Sequence, residues 1–347
     1  MEDNADGSTP SAGIIGLGLI GSSISAGLVD AGWHTTGYDP DPDVVRFTTD
    51  RSLVSAVAAT IPELVGARSD IVIVAAPPGA TIEILSGLRM DGPVMDVAGV
   101  KTAIRDAAAH LPGFVGTHPM AGRETSGPAA SSAALFRGAT WVLVDGGNPE
   151  AVGIVQAVVD ALGARPILMD AQTHDRAVAS ISHLPQILSG ALLAMAAGTE
   201  GAMDLAAGSF RDLTRVAASQ PLPWVELLKA NAPAVLAAIG ALKNQLSLLE
   251  AGLMTDDDTL MAHLVAGREA RDALGAPVTA VRVALADQPG ELAKVGHALE
   301  ASQVDVRDIQ MRHAPHGGGG VLTVSVRPGE EGALAHALED AGLLLVP

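Results

Sequence analysis

His118 lies in a segment whose neighbours indicate a loop with a chemical function. In THPMAGRE (117–124), Pro119 and Gly122 favour a turn, and the segment ends on an arginine–glutamate pair. The preceding apolar residues predict that His118 ends a parallel strand, at the edge where open α/β sheets bind ligands. A histidine there can take a proton from a hydroxyl while hydride leaves the same carbon. The alternative is a structural histidine bonded within its loop.

A glycine-rich turn near the N-terminus predicts a dinucleotide site. GIIGLGLIG contains Gly16, Gly18 and Gly21 in the spacing GxGxxG, after a short apolar strand and before a helix. These glycines allow a tight turn, approach of a pyrophosphate and close helix–strand packing, and the helix N-terminus attracts phosphate. Asp39 follows the next strand and suits the adenine ribose hydroxyls, while its charge repels a 2′-phosphate. We therefore predict NAD as the cofactor.

Charged residues on apolar helices form a second group of candidates. Asp175 and His183 are eight residues apart, about two turns, on one face of a predicted helix. Asp212 and Arg215 share another helix, and Trp224 follows after a proline-containing segment. An arginine on such a helix suits bidentate capture of a carboxylate. The alternative for each charge is a solvated helix face, or a surface ion pair worth about 0–1 kcal/mol.

Three folded regions and a tail are predicted to position these residues. Apolar runs alternate with helical segments and predict an α/β Rossmann domain with a parallel sheet, followed by long helices and then by a β-α-β-β-α-β pattern of the ferredoxin-like type. The predicted helices cover 172–198, 201–218, 223–252 and 256–273. The predicted boundaries are a flexible tail over 1–11, the Rossmann NAD-binding domain over 12–169, an all-α substrate and dimerisation domain over 170–274, and an α+β domain over 278–347.

The composition argues against several other functions. The chain has a formal net charge of −18 and no cluster of basic residues, which disfavours nucleic-acid binding. It has no cysteine, so thiolate metal ligands and disulfides are excluded, and we expect no metal site. The acidic N-terminus does not resemble a signal peptide, and no run reaches the ~18 apolar residues that span a bilayer. We expect a soluble cytoplasmic protein without a membrane partner.

Motifs over residues 13–224 resemble those of the prephenate/arogenate dehydrogenase family of tyrosine biosynthesis, and the helical segment to about residue 273 completes the pattern. They occur in family order: GLGLIG, GYD, MDVAGVKT, GTHPMAGRE, HDRAVASISHLP and GSFRDLTRVAASQPLPW. The resemblance implies NAD-dependent oxidative decarboxylation of prephenate to 4-hydroxyphenylpyruvate, or of arogenate to tyrosine.

The resemblance also implies roles for individual residues. His118 accepts the proton of the substrate 4-hydroxyl, and Arg215 binds a substrate carboxylate. The other substrate-binding positions are Glu124, His183, Gln186 and Trp224, and Asp175 and Asp212 belong to ion pairs near the site entrance. The cofactor positions are Gly16, Gly18, Leu19, Ile20, Gly21, Asp39, Pro77 and Gly99.

Two positions depart from the family pattern. Gly99 stands where the family often has a serine that touches substrate and nicotinamide, and Gln186 stands where a second histidine is common. Glutamine can hydrogen-bond but carries no charge near neutral pH. We hypothesise that water or a nearby hydroxyl, such as that of Thr102, replaces the serine in part.

The C-terminal segment LADQPGELAKV (285–295) resembles the start of an ACT domain, a small amino-acid-sensing module. The resemblance implies that the loop with Asp287 and Gly290 helps to bind an effector, with tyrosine as the expected ligand, and that such modules pair side by side. The alternative is a module that only assists dimerisation.

Three functions therefore remain open at the level of sequence. The first is a homodimeric NAD-dependent prephenate or arogenate dehydrogenase with an ACT-like regulatory domain. The second is another hydroxyacid dehydrogenase or an imine reductase of the same plan, although such enzymes would lack THPMAGRE and the SFRDLTR segment with its tryptophan. The third is a weakly active or non-catalytic amino-acid sensor, suggested by Gly99 and Gln186.

Overall fold

The structure is a computed structural model, and it describes residues 9–122, 125–144, 146, 148–255, 257–274, 278–313 and 319–346. The chain forms two compact units, Met1–Asn244 and Gln245–Pro347.

The first unit begins with alternating strands and helices, as predicted. In chain order they are β1 (Ser11–Ile15), α1 (Leu19–Asp30), β2 (His34–Tyr38), α2 (Pro42–Asp50), β3 (Ala56–Val57), α3 (Ile61–Gly66), β4 (Ile71–Val74), α4 (Pro78–Gly87), β5 (Val94–Asp96), α5 (Thr102–Ala107) and β6 (Phe114–Val115). The six strands form a parallel sheet in the order β3-β2-β1-β4-β5-β6. The order reverses beside β1, and the carboxyl ends of β1 and β4 open a crevice for a ligand there.

Both faces of this sheet are buried at β4, which is apolar and buried at every position. In β4, Ile71 and Ile73 pack into the cluster that contains α1, whereas Val72 and Val74 pack into the opposite cluster. Successive side chains of a strand point to opposite faces, so a continuous apolar run fits a sheet covered on both sides.

The predicted strand over 114–118 is split, which corrects the expectation that His118 ends a parallel strand. Only β6 pairs in the parallel sheet, and β7 (Thr117–Pro119) pairs antiparallel with β8 (Thr140–Val144). The break falls at Gly116, whose carbonyl accepts a hydrogen bond from Val144 N–H at 2.8 Å. After α6 (Pro149–Ala161), β9 (Arg165–Met169) pairs parallel with β8 and completes a three-stranded sheet.

Helices follow from residue 171 onwards, as the sequence predicts, but they are more interrupted. They are α7 (Ala171–Val178), a π-helical turn (Ala179–His183), α8 (Leu184–Ala197), α9 (Gly208–Thr214), a 3-10 turn (Arg215–Ala218), α10 (Pro221–Ala230) and α11 (Ala232–Thr255). The predicted helix over 223–252 breaks at Asn231 because Pro233, in the first turn of α11, cannot continue the hydrogen bonding of α10.

The second unit begins at Gln245, within α11, and has its own apolar core. It contains α12 (Asp257–Asp272), β10 (Thr279–Leu285), α13 (Glu291–Ser302), β11 (Val306–His313), β12 (Gly320–Val326), α14 (Glu331–Asp340) and β13 (Leu344–Val346). The strands form an antiparallel sheet in the order β11-β12-β10-β13. This is the predicted ferredoxin-like arrangement.

Two helical stretches, Ala171–Ala197 and Ala232–Met254, are long and apolar enough to cross a membrane by length and composition alone. This differs from the expectation that no run has that length. The first stretch carries His174, Asp175 and His183, which are buried against other elements of the first unit.

Candidate active site

The glycine-rich turn lies between β1 and α1 and leaves room for a phosphate. Gly16 has a φ of +96°. A methyl group built on it would lie 2.5 Å from the carbonyl oxygen of Ala75, the residue that follows the neighbouring strand β4. A methyl group on Gly21 would overlap the carbonyl of Gly16, so α1 packs directly on the turn. A methyl group on Gly18 would meet no atom within 4 Å. The backbone at Gly18 is therefore open to close approach by a ligand.

The N-terminus of α1 fits an anion for electrostatic reasons. No side chain caps this helix, and its first turn, with Leu19 and Ile20, contains no acidic residue. Its free N–H groups and helix dipole favour negative charge. Asp39 stabilises the turn by accepting hydrogen bonds from Leu17 N–H at 2.8 Å and Asp41 N–H at 2.9 Å. Pro77 is exposed just before α4, three residues after the end of β4.

His118 is the first residue of a chain of hydrogen bonds into the protein interior. Its Nδ1 lies 2.8 Å from Nε2 of His174, and Nδ1 of His174 lies 2.9 Å from Oδ1 of Asp175. His174 and Asp175 are buried, with 1% and 6% of their surface exposed. Asp175 also accepts hydrogen bonds from Lys101 N–H at 2.8 Å and Thr102 N–H at 2.9 Å.

These contacts fix which ring nitrogen of His118 is available as a base. An ionised carboxylate only accepts, so Nδ1 of His174 carries a proton and donates it to Asp175. In neutral His174 the Nε2 atom is then an acceptor, and Nδ1 of His118 donates to it. Nε2 of His118 then carries the lone pair of the ring, and no contact of the described residues engages it.

The electrostatics of the network keep His118 neutral. Burial, together with the positive charge of Lys101, lowers the pKa of His118 well below its ordinary value of 6.5. Burial opposes ionisation of Asp175, yet hydrogen bonds from His174, Thr102 and Lys101 lower its pKa to about 2. A neutral acceptor histidine oriented by an ionised carboxylate is an arrangement suited to general-base catalysis.

A buried ion pair holds the strand that carries His118. Lys101 and Asp96 are both fully buried and in contact, and Nζ of Lys101 also donates to the Thr117 carbonyl at 2.5 Å. Asp96 accepts a hydrogen bond from Thr117 N–H at 3.1 Å. Burial raises the pKa of Asp96 and lowers that of Lys101, and the charge of each partner opposes these shifts. The pair thus fixes the backbone next to His118.

Gly99 lies beside the free nitrogen of His118. A methyl group built on Gly99 would lie 3.6 Å from Nε2 of His118 and 3.0 Å from Cδ1 of Leu227 in α10. The space next to the base is therefore bounded by an apolar side chain. Thr102 faces Asp175, to which its N–H donates. The hypothesis that water or a nearby hydroxyl, such as that of Thr102, replaces the missing serine in part stays a prediction.

His183 and Trp224 join the same network from the other side. Nδ2 of Asn231 lies 2.8 Å from the Asp175 carbonyl oxygen and 3.2 Å from Nδ1 of His183. The Trp224 ring meets the His183 ring edge-on, with centroids 6.2 Å apart and planes at 85°. Burial lowers the pKa of His183. The structure thus connects His183 and Trp224 to His118 through Asp175 and Asn231.

Asp175 is held in place by hydrogen bonds from two directions. The residue is buried and satisfied by backbone N–H groups and His174, because α7 packs its N-terminal half against the loop before α5. Asp175 thus supports His118 through His174, and its part in an ion pair near the site entrance stays a prediction.

The remaining predicted substrate residues lie on other elements. Gln186 is half-buried in the first turn of α8. Asp212 and Arg215 are exposed around the end of α9, and the described contacts do not connect them to His118. Their segment is anchored to α8 by a hydrogen bond of 3.0 Å from Ala217 N–H to Ser189 Oγ. Glu124 lies outside the described residues.

In the second unit, Asp287 and Gly290 lie where predicted, on the loop between β10 and α13. Both are exposed, and Gly290 has a φ of +98° as the residue that precedes the helix. This conformation favours glycine.

Sequence reasoning missed four buried residues of the site: Asp96, Lys101, His174 and Asn231. His174 is adjacent to Asp175 in the motif THD, and Asn231 precedes a proline within an apolar pattern. Both signals are local, but His118, which His174 contacts, and Asp175 and His183, which Asn231 contacts, lie 48–56 residues away in the chain.

We predict that Gly99→Ser changes kcat/KM by no more than about tenfold, because one added neutral hydrogen bond contributes ~1 kcal/mol. Leu227 can move aside at its flexible end to admit the new Cβ. Gly99→Ala is the control, since it adds the same carbon without the hydroxyl. A much larger gain in the serine variant alone would show that nothing in the native site, water included, replaces this hydroxyl.

The open glycine turn follows β1, and the neutral His118 lies beside the loop that follows β5. Both lie at the carboxyl edge of the parallel sheet. Together they define a nicotinamide-dependent dehydrogenase of Rossmann type. Two family models match the chain: the prephenate dehydrogenase nucleotide-binding domain over residues 29–168 and the prephenate dehydrogenase dimerization domain over residues 170–266. These matches cover more than half of the chain, which therefore belongs to the prephenate dehydrogenase family.

Individual relatives agree with this assignment. The chain is 34% identical to the cyclohexadienyl dehydrogenase of Zymomonas mobilis, over 75% of this chain and 94% of that protein. It is 30% identical to the probable prephenate dehydrogenase NovF of Streptomyces niveus, over 94% of this chain and 96% of that protein. The A. aeolicus prephenate dehydrogenase, solved with hydroxyphenyl propionate and NAD+, shares the fold with a TM-score of 0.71 at 24% identity, over 77% of this chain and 99% of that one.

Proposed function

We propose that the protein catalyses the NAD-dependent oxidative decarboxylation of prephenate to 4-hydroxyphenylpyruvate. The observation that carries this proposal is the free Nε2 of His118, held as an acceptor by His174 and Asp175 beside the loop after β5. Family membership supplies the substrate class, and Asp39 with the open turn at Gly18 favours NAD.

In this proposal His118 takes the proton of the substrate 4-hydroxyl at Nε2. Bound NAD+ supplies the hydride acceptor for the hydrogen on the same ring carbon. The ring carboxylate leaves as carbon dioxide, and its bonding electrons complete the aromatic ring. The ring oxygen then carries a negative charge and takes up a proton, which gives the hydroxyl of the product. The positive charge that His118 gains is stabilised through His174 by the Asp175 carboxylate.

The other site residues are proposed to bind the two carboxylates and the ring. Arg215 is a bidentate donor for one carboxylate, with Glu124 and Gln186 as neighbouring polar contacts. Trp224 forms an aromatic wall beside His183. Asp212 is proposed to form a gating ion pair near Arg215.

Arogenate is the second candidate substrate. It has the same ring and 4-hydroxyl as prephenate, so the His118 chemistry is unchanged, and the product is tyrosine. One relative is named cyclohexadienyl dehydrogenase, a name that covers this wider substrate class.

We further propose a cytoplasmic homodimer with an ACT-type regulatory domain. The dimerization model over 170–266 covers a region with many exposed large apolar side chains, including Leu205, Leu236 and Leu253. The ferredoxin-like element order supports an ACT-type module over 278–347, in which the loop with Asp287 and Gly290 binds tyrosine. Tyrosine is expected to inhibit turnover of the native protein and to lose that effect when Asp287 is replaced by alanine.

The direct test is to mix the purified protein with NAD+ and prephenate and to follow NADH by its absorbance. Formation of NADH with 4-hydroxyphenylpyruvate supports the proposal. NADH formation only with arogenate assigns the second substrate. No turnover with either, while NAD+ still binds, would contradict an enzymatic role and favour the sensor.

The pH dependence of kcat/KM follows from the lowered pKa of His118. A base must be unprotonated to act, and burial keeps this ring neutral well below pH 6.5. We expect kcat/KM to stay level from pH 8 to pH 6.5 and to fall only at more acid pH, with a slope of one proton. Initial rates measured from pH 8 through pH 6.5 and into the more acid range give the profile. A fall centred at or above pH 6.5 would place His118 in a more solvated site than the structure shows.

A further inference from the structure

The buried amide of Asn231 occupies the break between α10 and α11 and contacts two elements of the site. Only 4% of its surface is exposed, and its Nδ2 lies near both the Asp175 carbonyl oxygen and Nδ1 of His183. None of the sequence motifs pointed to this residue.

The orientation of this amide is set by the Asp175 carbonyl. A carbonyl oxygen only accepts, so the NH2 group of Asn231, and not its oxygen, must face it at 2.8 Å. The same NH2 group is the one that lies 3.2 Å from His183. Nδ1 of His183 therefore accepts a hydrogen bond, and in the neutral ring the proton is on Nε2.

Two histidines of one site thereby have complementary roles. His118 presents the lone pair of Nε2, whereas His183 presents an N–H at Nε2. Both arrangements depend on Asp175: its carboxylate acts on His118 through His174, and its main-chain carbonyl acts on His183 through Asn231. Trp224 packs edge-on against the His183 ring and restricts its rotation.

We propose that Asn231 is a positioning residue that holds His183 in the Nε2–H tautomer, so that His183 donates a hydrogen bond to an oxygen of the substrate. This inference rests on the proposed function for the identity of the substrate, a dicarboxylate with oxygen acceptors. The assignment of the tautomer rests on the hydrogen bonds alone.

The tautomer can be measured in the native protein without substrate. In protein labelled with 15N-histidine, the resonances of His183, assigned by their loss in His183→Asn, should show an unprotonated Nδ1 and a protonated Nε2. A protonated Nδ1 in the native protein would overturn the proposal, and this outcome does not depend on any enzymatic activity.

Asn231→Asp tests the positioning role, because its carboxylate accepts and draws a proton onto Nδ1 of His183. The variant should show that proton by NMR and bind 4-hydroxyphenylpyruvate roughly tenfold to a hundredfold more weakly, while its NAD+ affinity is unchanged. Asn244→Asp, the same change at an exposed position of α11, is the control and should match the native protein.

The outcomes separate this inference from the proposed function. If the native protein turns over neither prephenate nor arogenate, the proposed function fails while the tautomer measurement stands. If turnover is normal and Asn231→Asp keeps both the native tautomer and the native KM, the positioning role is wrong. Should Asn231→Asp fail to fold, Asn231→Ser, which retains a donor on a shorter side chain, is expected to keep Nδ1 unprotonated with a smaller rise in KM.

Discussion

Replacing His118 by asparagine is expected to lower kcat by roughly 10²–10⁴-fold, the range that general acid–base catalysis contributes. Asparagine retains a hydrogen-bonding group of similar reach toward His174, so the surrounding network is preserved. It cannot accept the proton of the substrate hydroxyl, however, and the hydride would have to leave a carbon whose oxygen is still protonated. Steady-state NADH formation at saturating NAD+ and prephenate measures the effect.

The cofactor affinity of this variant should remain that of the native protein, because none of the contacts described for the glycine-rich turn and Asp39 involves His118 or its partners. His336→Asn is the matched control, since His336 is exposed on α14. If His118→Asn turned over at the native rate, the base would have to be another group and the proposed mechanism would be wrong.

Most of the fold can be predicted from local sequence patterns. The apolar runs of the first 169 residues predict strands that the structure contains, and the ferredoxin-like order of the last module is also found. The periodicity of apolar residues did not predict where strands and helices are interrupted. It did not detect the change of partner strand at Gly116 or the end of α10 at Asn231, since both depend on contacts and on a single proline.

The site could be predicted only in part from the sequence, for a related reason. His118 and the glycine turn lie in motifs whose chemistry is local, so their positions could be predicted. The role of Asp175 could not, because an aspartate at one end of a helix reads equally well as an entrance ion pair or a buried acceptor. The contacts that distinguish the two come from the N–H groups of Lys101 and Thr102 at the start of α5 and from His174 on the same helix as Asp175.

The second large loss of activity is expected for the substitution Asp175→Asn. In the native protein Oδ1 accepts from Lys101 N–H and His174, and Oδ2 accepts from Thr102 N–H. An asparagine has one oxygen and one NH2 group, so in either orientation its NH2 group faces a backbone donor. If the NH2 group faces His174, that ring must accept at Nδ1 and donate at Nε2, and His118 is driven to carry its proton on Nε2, where the base is needed.

We therefore expect Asp175→Asn to lower kcat by roughly 10²–10⁴-fold, as the loss of an orienting carboxylate does when it leaves a histidine in the wrong tautomer. KM should change far less, because Asp175 is buried beneath His118 and is not proposed to touch substrate. The unfolding free energy should fall by about 1–3 kcal/mol through the unsatisfied donor. Asp160→Asn, at an exposed position of α6, controls for the loss of one negative charge. If kcat survived in Asp175→Asn while thermal unfolding shifted as expected, Asp175 would be a structural residue and His118 would not need its carboxylate to act as a base.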